Sequence, residues 1–183
     1  MRLFIGIPLA PSVTDTLVHI REQFASVSSQ LRWSTPESWH VTLQFLGRTD
    51  EQQQSCVVEN LKAISASPLL VRISGLDFFE RAGVFFAGIL MTPELLALQQ
   101  RVTGATRPCG FMPEERAYHP HITLARSKGR AGGQVLAPLK KALTRAGVAL
   151  DTEFTADEFL LYESFPGREG SRYETRARFP IRS

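Results

Sequence analysis

The chain has 183 residues, of which 43% are hydrophobic and 21% charged, with a net charge of +3. This suits one soluble domain with a sizeable core and excludes a disordered basic arm. The mildly basic balance permits a polyanionic partner without demanding one, and no stretch approaches the roughly 18 apolar residues of a membrane span.

In chain order, residues 2–8 form an apolar run that stops at Pro8, which predicts a first core strand. The run is short, is broken by Gly6 and Pro8 and lacks a small-x-small cleavage site. A secretory leader is therefore not expected, and the protein is placed in the cytoplasm. Pro11 and Ser12 open a helix over 11–27, with Val13, Leu17, Ile20, Phe24 and Val27 on one face. A short strand over 30–34 and a turn at Pro36–Ser38 lead to a strand over 39–46 that ends at Gly47. Asp50 is the expected cap of a helix over 50–66, which carries Cys56, Val57, Leu61 and Ile64. Strands over 69–79 and 84–90 turn around Arg81–Gly83. Thr92 and Pro93 start a helix that reaches about residue 107. A strand over 119–126, a helix over 134–146 ending at Gly147, and strands over 153–163 and 173–181 complete the chain. Residues 128–133 and 165–171 read as surface loops. The order predicts a mixed α/β or α+β domain. Cys56 and Cys109 have no CxxC or regular spacing, so neither a disulfide framework nor a zinc site is expected.

A four-residue pattern recurs in the two halves: His40-Val41-Thr42-Leu43 and His121-Ile122-Thr123-Leu124, each inside a predicted strand. Strand alternation puts His40 with Thr42, and His121 with Thr123, on one face, and the apolar residues on the other. Two lobes, each offering one such strand, could converge four polar groups on one small anion. A neutral imidazole can take a proton from water while a protonated one gives a proton to a leaving ribose oxygen. Threonine hydroxyls can hold non-bridging phosphoryl oxygens as charge builds. The scheme needs no metal and no cofactor, and it predicts a bell-shaped rate profile over roughly pH 5–8. One copy alone would pass for scaffold; two copies, using two of the four histidines, point to chemistry. His19 reads as a solvated helix histidine. His119 shares parity with His121, which leaves a metal site with His40 as a minor alternative.

The paired motif resembles the signature of the two-histidine (2H) phosphoesterase superfamily. Residues 2–7 (RLFIGI), 40–47 (HVTLQFLG), 119–126 (HPHITLAR) and 159–164 (FLLYES) resemble segments of the bacterial and archaeal RNA 2′,3′-cyclic phosphodiesterases, also called 2′-5′ RNA ligases. The resemblance implies a bilobal, LigT-like α+β fold over residues 1–183, with two pseudo-symmetric lobes of antiparallel sheet plus helices around a central cleft. It implies hydrolysis of RNA 2′,3′-cyclic phosphodiester ends to 2′-phosphomonoesters, with reversible 2′-5′ joining of tRNA halves. His40 would be the proton donor and His121 the acceptor, with Thr42 and Thr123 holding the phosphate. Arg126 matches an arginine common after the second motif and would bind phosphate, although parity puts it opposite His121 unless the strand bends or bulges; a solvated surface arginine is the alternative. Phe4, Phe45 and Tyr162 are candidates to stack a base, with core packing as the alternative for each. Nothing compels assembly, so a monomer is expected.

Two other readings stand beside this one. Cyclic nucleotide phosphodiesterases and 2′-5′ oligonucleotide hydrolases share the paired motif. An RNA-binding module without turnover would suit the arginines at 126, 168, 172, 176 and 178.

Overall fold

The computed structural model describes residues 1–24, 29, 31–128, 138–143, 150–167 and 170–182. The elements are β1 (Arg2–Pro8), α1 (Pro11–Gln23), β2 (Leu31–Trp33), β3 (His40–Arg48), α2 (Glu51–Lys62), β4 (Leu69–Phe79), β5 (Val84–Ile89), α3 (Pro93–Thr106), β6 (His121–Ser127), β7 (Asp151–Ala156), β8 (Glu158–Gly167) and β9 (Gly170–Pro180). The helix expected over 134–146 is described at 138–143, which are helical; its remainder, Val27 and Arg168 lie outside the described residues.

Helix starts follow local chemistry. The Asp50 side chain accepts from the Gln53 backbone while Gln53 reaches back to the Asp50 amide, a reciprocal cap for α2. Thr92 accepts from Leu95 N–H and Pro93 occupies the first turn of α3. Gly83, at φ 61°, closes the β4–β5 hairpin in a conformation that favours glycine.

Two antiparallel sheets result, ordered β3-β1-β8-β9 and β2-β6-β5-β4-β7. Each contains the same unit: β1 pairs β3 in one sheet, and β5 pairs β6 in the other, with α1 and α3 on the respective connections. The lobes interlock, because α3 packs against β3 and α1 against β7. One apolar cluster runs through both, with Ile5, Val41 and Leu161 on one side and Ile73, Phe85 and Ile122 on the other, all fully buried. Each such side chain contributes about 1.5–3 kcal/mol on burial.

Two expectations are corrected here. The single strand expected over 153–163 is two strands in different sheets, split at Asp157. Alternation marks extended chain, but it does not say which sheet a stretch joins. Cys56 and Cys109, which were not expected to pair, form a disulfide with Cα atoms 5.7 Å apart. The reason is tertiary: α2 packs on α3, and Cys109 follows the end of α3, so residues 53 apart in sequence meet. Closing a loop of that size removes about 4 kcal/mol of unfolded-chain entropy. Cys56→Ser is expected to lower unfolding stability by about 2–4 kcal/mol in denaturant titration without reductant. Dithiothreitol should bring wild type down to the variant; equal midpoints for oxidised wild type and variant would count against a stabilising bond.

Candidate active site

β3 and β6 carry the two His-x-Thr patterns and approach one another where the sheets meet. Val41, Leu43, Ile122 and Leu124 are buried, while His40, Thr42, His121 and Thr123 line a shared cleft of about 620 Å³. The period-2 alternation alone produces this division.

Each strand then breaks its alternation at the same place. The β1–β3 register steps from Ile5↔Gln44 to Gly6↔Thr42, so Leu43 is an extra residue. The β5–β6 register steps from Phe85↔Ala125 to Phe86↔Thr123, so Leu124 is extra. A bulge reverses the parity of the residues beyond it. Leu43 and Gln44 are buried in succession, as are Leu124 and Ala125. Phe45 and Arg126, equivalent in the two halves, therefore emerge on the cleft wall. Strict parity had put Arg126 on the opposite face; the bulge overturns that. Phe45 is 58% exposed, a platform whose face is free of core packing.

The two histidines are held alike. His40 Nδ1–H donates to the Ser38 carbonyl at 2.7 Å, and His121 Nδ1–H to the His119 carbonyl at 2.8 Å. These bonds set the tautomer of the neutral ring, with the proton on Nδ1 and Nε2 unprotonated. Phe4 lies 4.6 Å from the His40 ring centroid, and Tyr173 meets its edge at 5.3 Å. Phe79 and Phe86 pack on His121 at 4.9 and 5.3 Å. Burial pushes His40 down to about 4, opposed by its bond to Ser38 and reinforced by the nearby His121. Burial also lowers His121, again against its backbone bond, and His119 and Arg126 add to the effect. Both shifts favour the neutral ring over the charged one.

Tyr162 does not line the cleft. It stacks on Phe4 at 4.9 Å and 16°, so its ring belongs to the wall behind His40. Phe4 is itself buried at 3% exposure. Tyr173, on β9, lines the cleft instead, and no pattern in the sequence marks it. Tyr118 was also not anticipated: its hydroxyl donates to the Thr42 carbonyl at 2.9 Å, tying the segment before β6 to β3. Burial holds that hydroxyl protonated, well above the usual tyrosine range. His19 is exposed on α1. Among the described residues, no three His, Cys, Asp or Glu side chains are grouped to hold a metal ion.

Gly6 makes the wall possible. A Cβ there would lie 3.0 Å from the Val41 carbonyl and 3.2 Å from His40 Cδ2. Gly6→Ala is expected to displace the ring and lower kcat/KM by tenfold or more, reaching roughly 10²-fold where the displacement approaches about 1 Å. Kinetics paired with a thermal melt separate this from simple unfolding.

Two imidazoles and two hydroxyls thus converge on one cleft from pseudo-symmetric strands. The chain belongs to the 2′-5′ RNA ligase superfamily, whose family model matches residues 10–164. It is 29% identical over 183 residues to an RNA 2′,3′-cyclic phosphodiesterase of Geobacillus stearothermophilus, covering 97% of this chain and 56% of that protein. It thus spans little more than half of that relative's length. A protein of the same name from Thermotoga maritima is 32% identical, over 70% of this chain and 71% of its own. The crystal structure of E. coli LigT in apo form superposes with a TM-score of 0.80 at 22% identity, covering 100% of this chain and 98% of that one. The fold is therefore that of LigT, with the bilobal α+β architecture expected from the motifs.

Proposed function

We propose that this chain hydrolyses 2′,3′-cyclic phosphodiester ends of RNA to 2′-phosphomonoesters, without a metal, using His40 and His121 as acid and base. The observation that carries this is the matched pair of histidines on one cleft, each with Nδ1 bound to a carbonyl and Nε2 left to work. The names of its relatives supply the substrate class.

In the reaction, water attacks phosphorus opposite the 3′ oxygen and gives a proton to His121. The P–O3′ bond breaks, and His40 delivers a proton to the leaving oxygen, producing a 3′-hydroxyl and a 2′-phosphate. Thr42 and Thr123 donate to the non-bridging oxygens. Arg126 attracts the anion, and Phe45 takes the terminal base by stacking. A 5′-hydroxyl in place of water would give a 2′-5′ diester by the same steps, which is the sense in which tRNA halves would be joined. The whole chain acts as one two-lobed unit, as a monomer in the cytoplasm. No helix among the described residues is long and apolar enough to cross a membrane. In a reducing cytoplasm, Cys56 and Cys109 would stand apposed as thiols.

The test is a short RNA ending in a 2′,3′-cyclic phosphate, incubated with the protein in EDTA. The expected product is a 2′-phosphate, identified by mass and by phosphatase sensitivity. No turnover in EDTA, restored by a divalent metal, would replace this mechanism with a metal-dependent one. Binding without turnover in either condition would favour the RNA-binding reading.

A further inference from the structure

The cleft holds more positive charge than one phosphate requires, and its placement is specific. Arg32, on β2, sits directly across from Arg126 on β6. Directly opposed residues of an antiparallel pair point to the same face, and both arginines line the cleft with His121 and Thr123. Like charges in that arrangement repel and destabilise the pairing. Among the described residues, no carboxylate forms an ion pair with either one. By contrast, Arg172, which also lines the cleft, is engaged by Glu174 and by the Phe165 ring. Glu37 is the acidic residue in the lining and is not bonded to either guanidinium. Nothing in the fold explains why two unpaired guanidiniums should be set side by side across the short edge strand β2 and its neighbour β6. A phosphate between them would remove the repulsion and use both forks.

The pair lies three residues beyond Thr123 on β6, about 10 Å along the strand. That is displaced from the phosphate held by the two threonines, yet within the reach of one nucleotide whose ends both carry phosphate.

We propose that Arg32 and Arg126 form a second phosphate subsite, which takes the phosphate on the 5′ oxygen of the terminal nucleotide while the cyclic phosphate lies between the histidines. Arg32 is then a specificity-determining residue that favours RNA ends over free nucleoside cyclic phosphates. This rests on the function proposed above for the same cleft. The shared chemistry is a 5′ phosphate, whether a terminal monoester or an internal diester.

The experiment compares three substrates on wild type, Arg32→Gln and Arg32→Lys. They are a nucleoside 2′,3′-cyclic phosphate with a 5′-hydroxyl, the same nucleoside with a 5′-phosphate, and a dinucleotide ending in the cyclic phosphate. Wild type should prefer the two substrates with a second phosphate, by kcat/KM. In Arg32→Gln that preference should fall roughly tenfold, the log–log salt slope for the dinucleotide should drop by about 1, and Arg32→Lys should recover part of both. A gain in the dinucleotide alone assigns the diester; a gain in both assigns the phosphate group itself. No preference in wild type, or an undiminished preference in Arg32→Gln, overturns the subsite. Calorimetric binding of the matching 2′-phosphate products, with and without the 5′-phosphate, gives the same comparison where turnover is absent. Loss of turnover on all substrates with the binding difference intact would therefore fail the hydrolysis proposal and keep the subsite.

Discussion

His40→Ala and His121→Ala are each expected to lower kcat on a 2′,3′-cyclic phosphate by about 10²–10⁴-fold, while the folded protein keeps its melting behaviour to within a few degrees. Both rings sit on the cleft wall rather than in the centre of the core, and truncation leaves Val41, Leu43, Ile122 and Leu124 in place beneath them. The double variant should be little worse than the poorer single one, because acid and base serve one displacement and fail as a unit. Additive losses would mean that the two residues act in separate steps. Full activity in either single variant would remove the paired motif from the catalytic centre. The neighbouring His119 is exposed, packs near-perpendicular to Phe79 at 5.2 Å and does not line the cleft.

The second large effect is in pH dependence. Burial holds His40 near 4 and lowers His121 from 6.5. Catalysis needs one ring protonated and the other neutral. In the free protein, burial lowers His40 the more strongly, so the form with His40 charged and His121 neutral is the minor singly protonated state; both singly protonated states are populated below 6.5 and decline above it. The kcat/KM profile should therefore be a bell displaced to the acid side of the pH 5–8 window that unperturbed imidazoles would give. A bound phosphoryl anion reverses part of this. At about 4 Å in an effective dielectric of 20 it contributes about 4 kcal/mol, enough to lift an imidazole from about 4 to about 7. The kcat profile should then peak near neutrality, on the alkaline side of kcat/KM. Binding of inorganic phosphate at pH 7 should take up close to one proton, read by calorimetry in buffers of different ionisation enthalpy. Coincident kcat and kcat/KM profiles, with no proton uptake, would refute this coupling.

The same displacement bears on stability. A histidine whose folded value is depressed binds fewer protons than the unfolded chain between its unfolded and folded values. The folded state therefore loses stability as pH falls from about 6.5 toward about 4. The site is built at the expense of acid tolerance, because the walls that desolvate the rings are also what positions them.

Much of this was local in the sequence. The period-2 alternation of HVTL and HITL determined which side chains face the cleft, and Asp50 and Thr92 with Pro93 determined where α2 and α3 begin, because these effects act over a few bonds. The paired motif also determined the chemistry to be considered, since two imidazoles and two hydroxyls on extended chain have few other uses. Tertiary structure decided what depends on partners distant in sequence. The extra residues at Leu43 and Leu124 exist only relative to β1 and β5, and they alone bring Phe45 and Arg126 into the cleft. Tyr173 lines the cleft, with Tyr162 in the wall behind His40, because β8 and β9 add to the sheet of β1, and Arg32 meets Arg126 because β2 pairs with β6. Cys56 finds Cys109 through the packing of α2 on α3. The histidine titrations likewise come from burial among Phe4, Tyr173, Phe79 and Phe86, whose rings converge only after both sheets have closed. Short-range sterics and hydrogen bonding are written residue by residue, whereas register, burial and desolvation are properties of surfaces that the chain must first bring together.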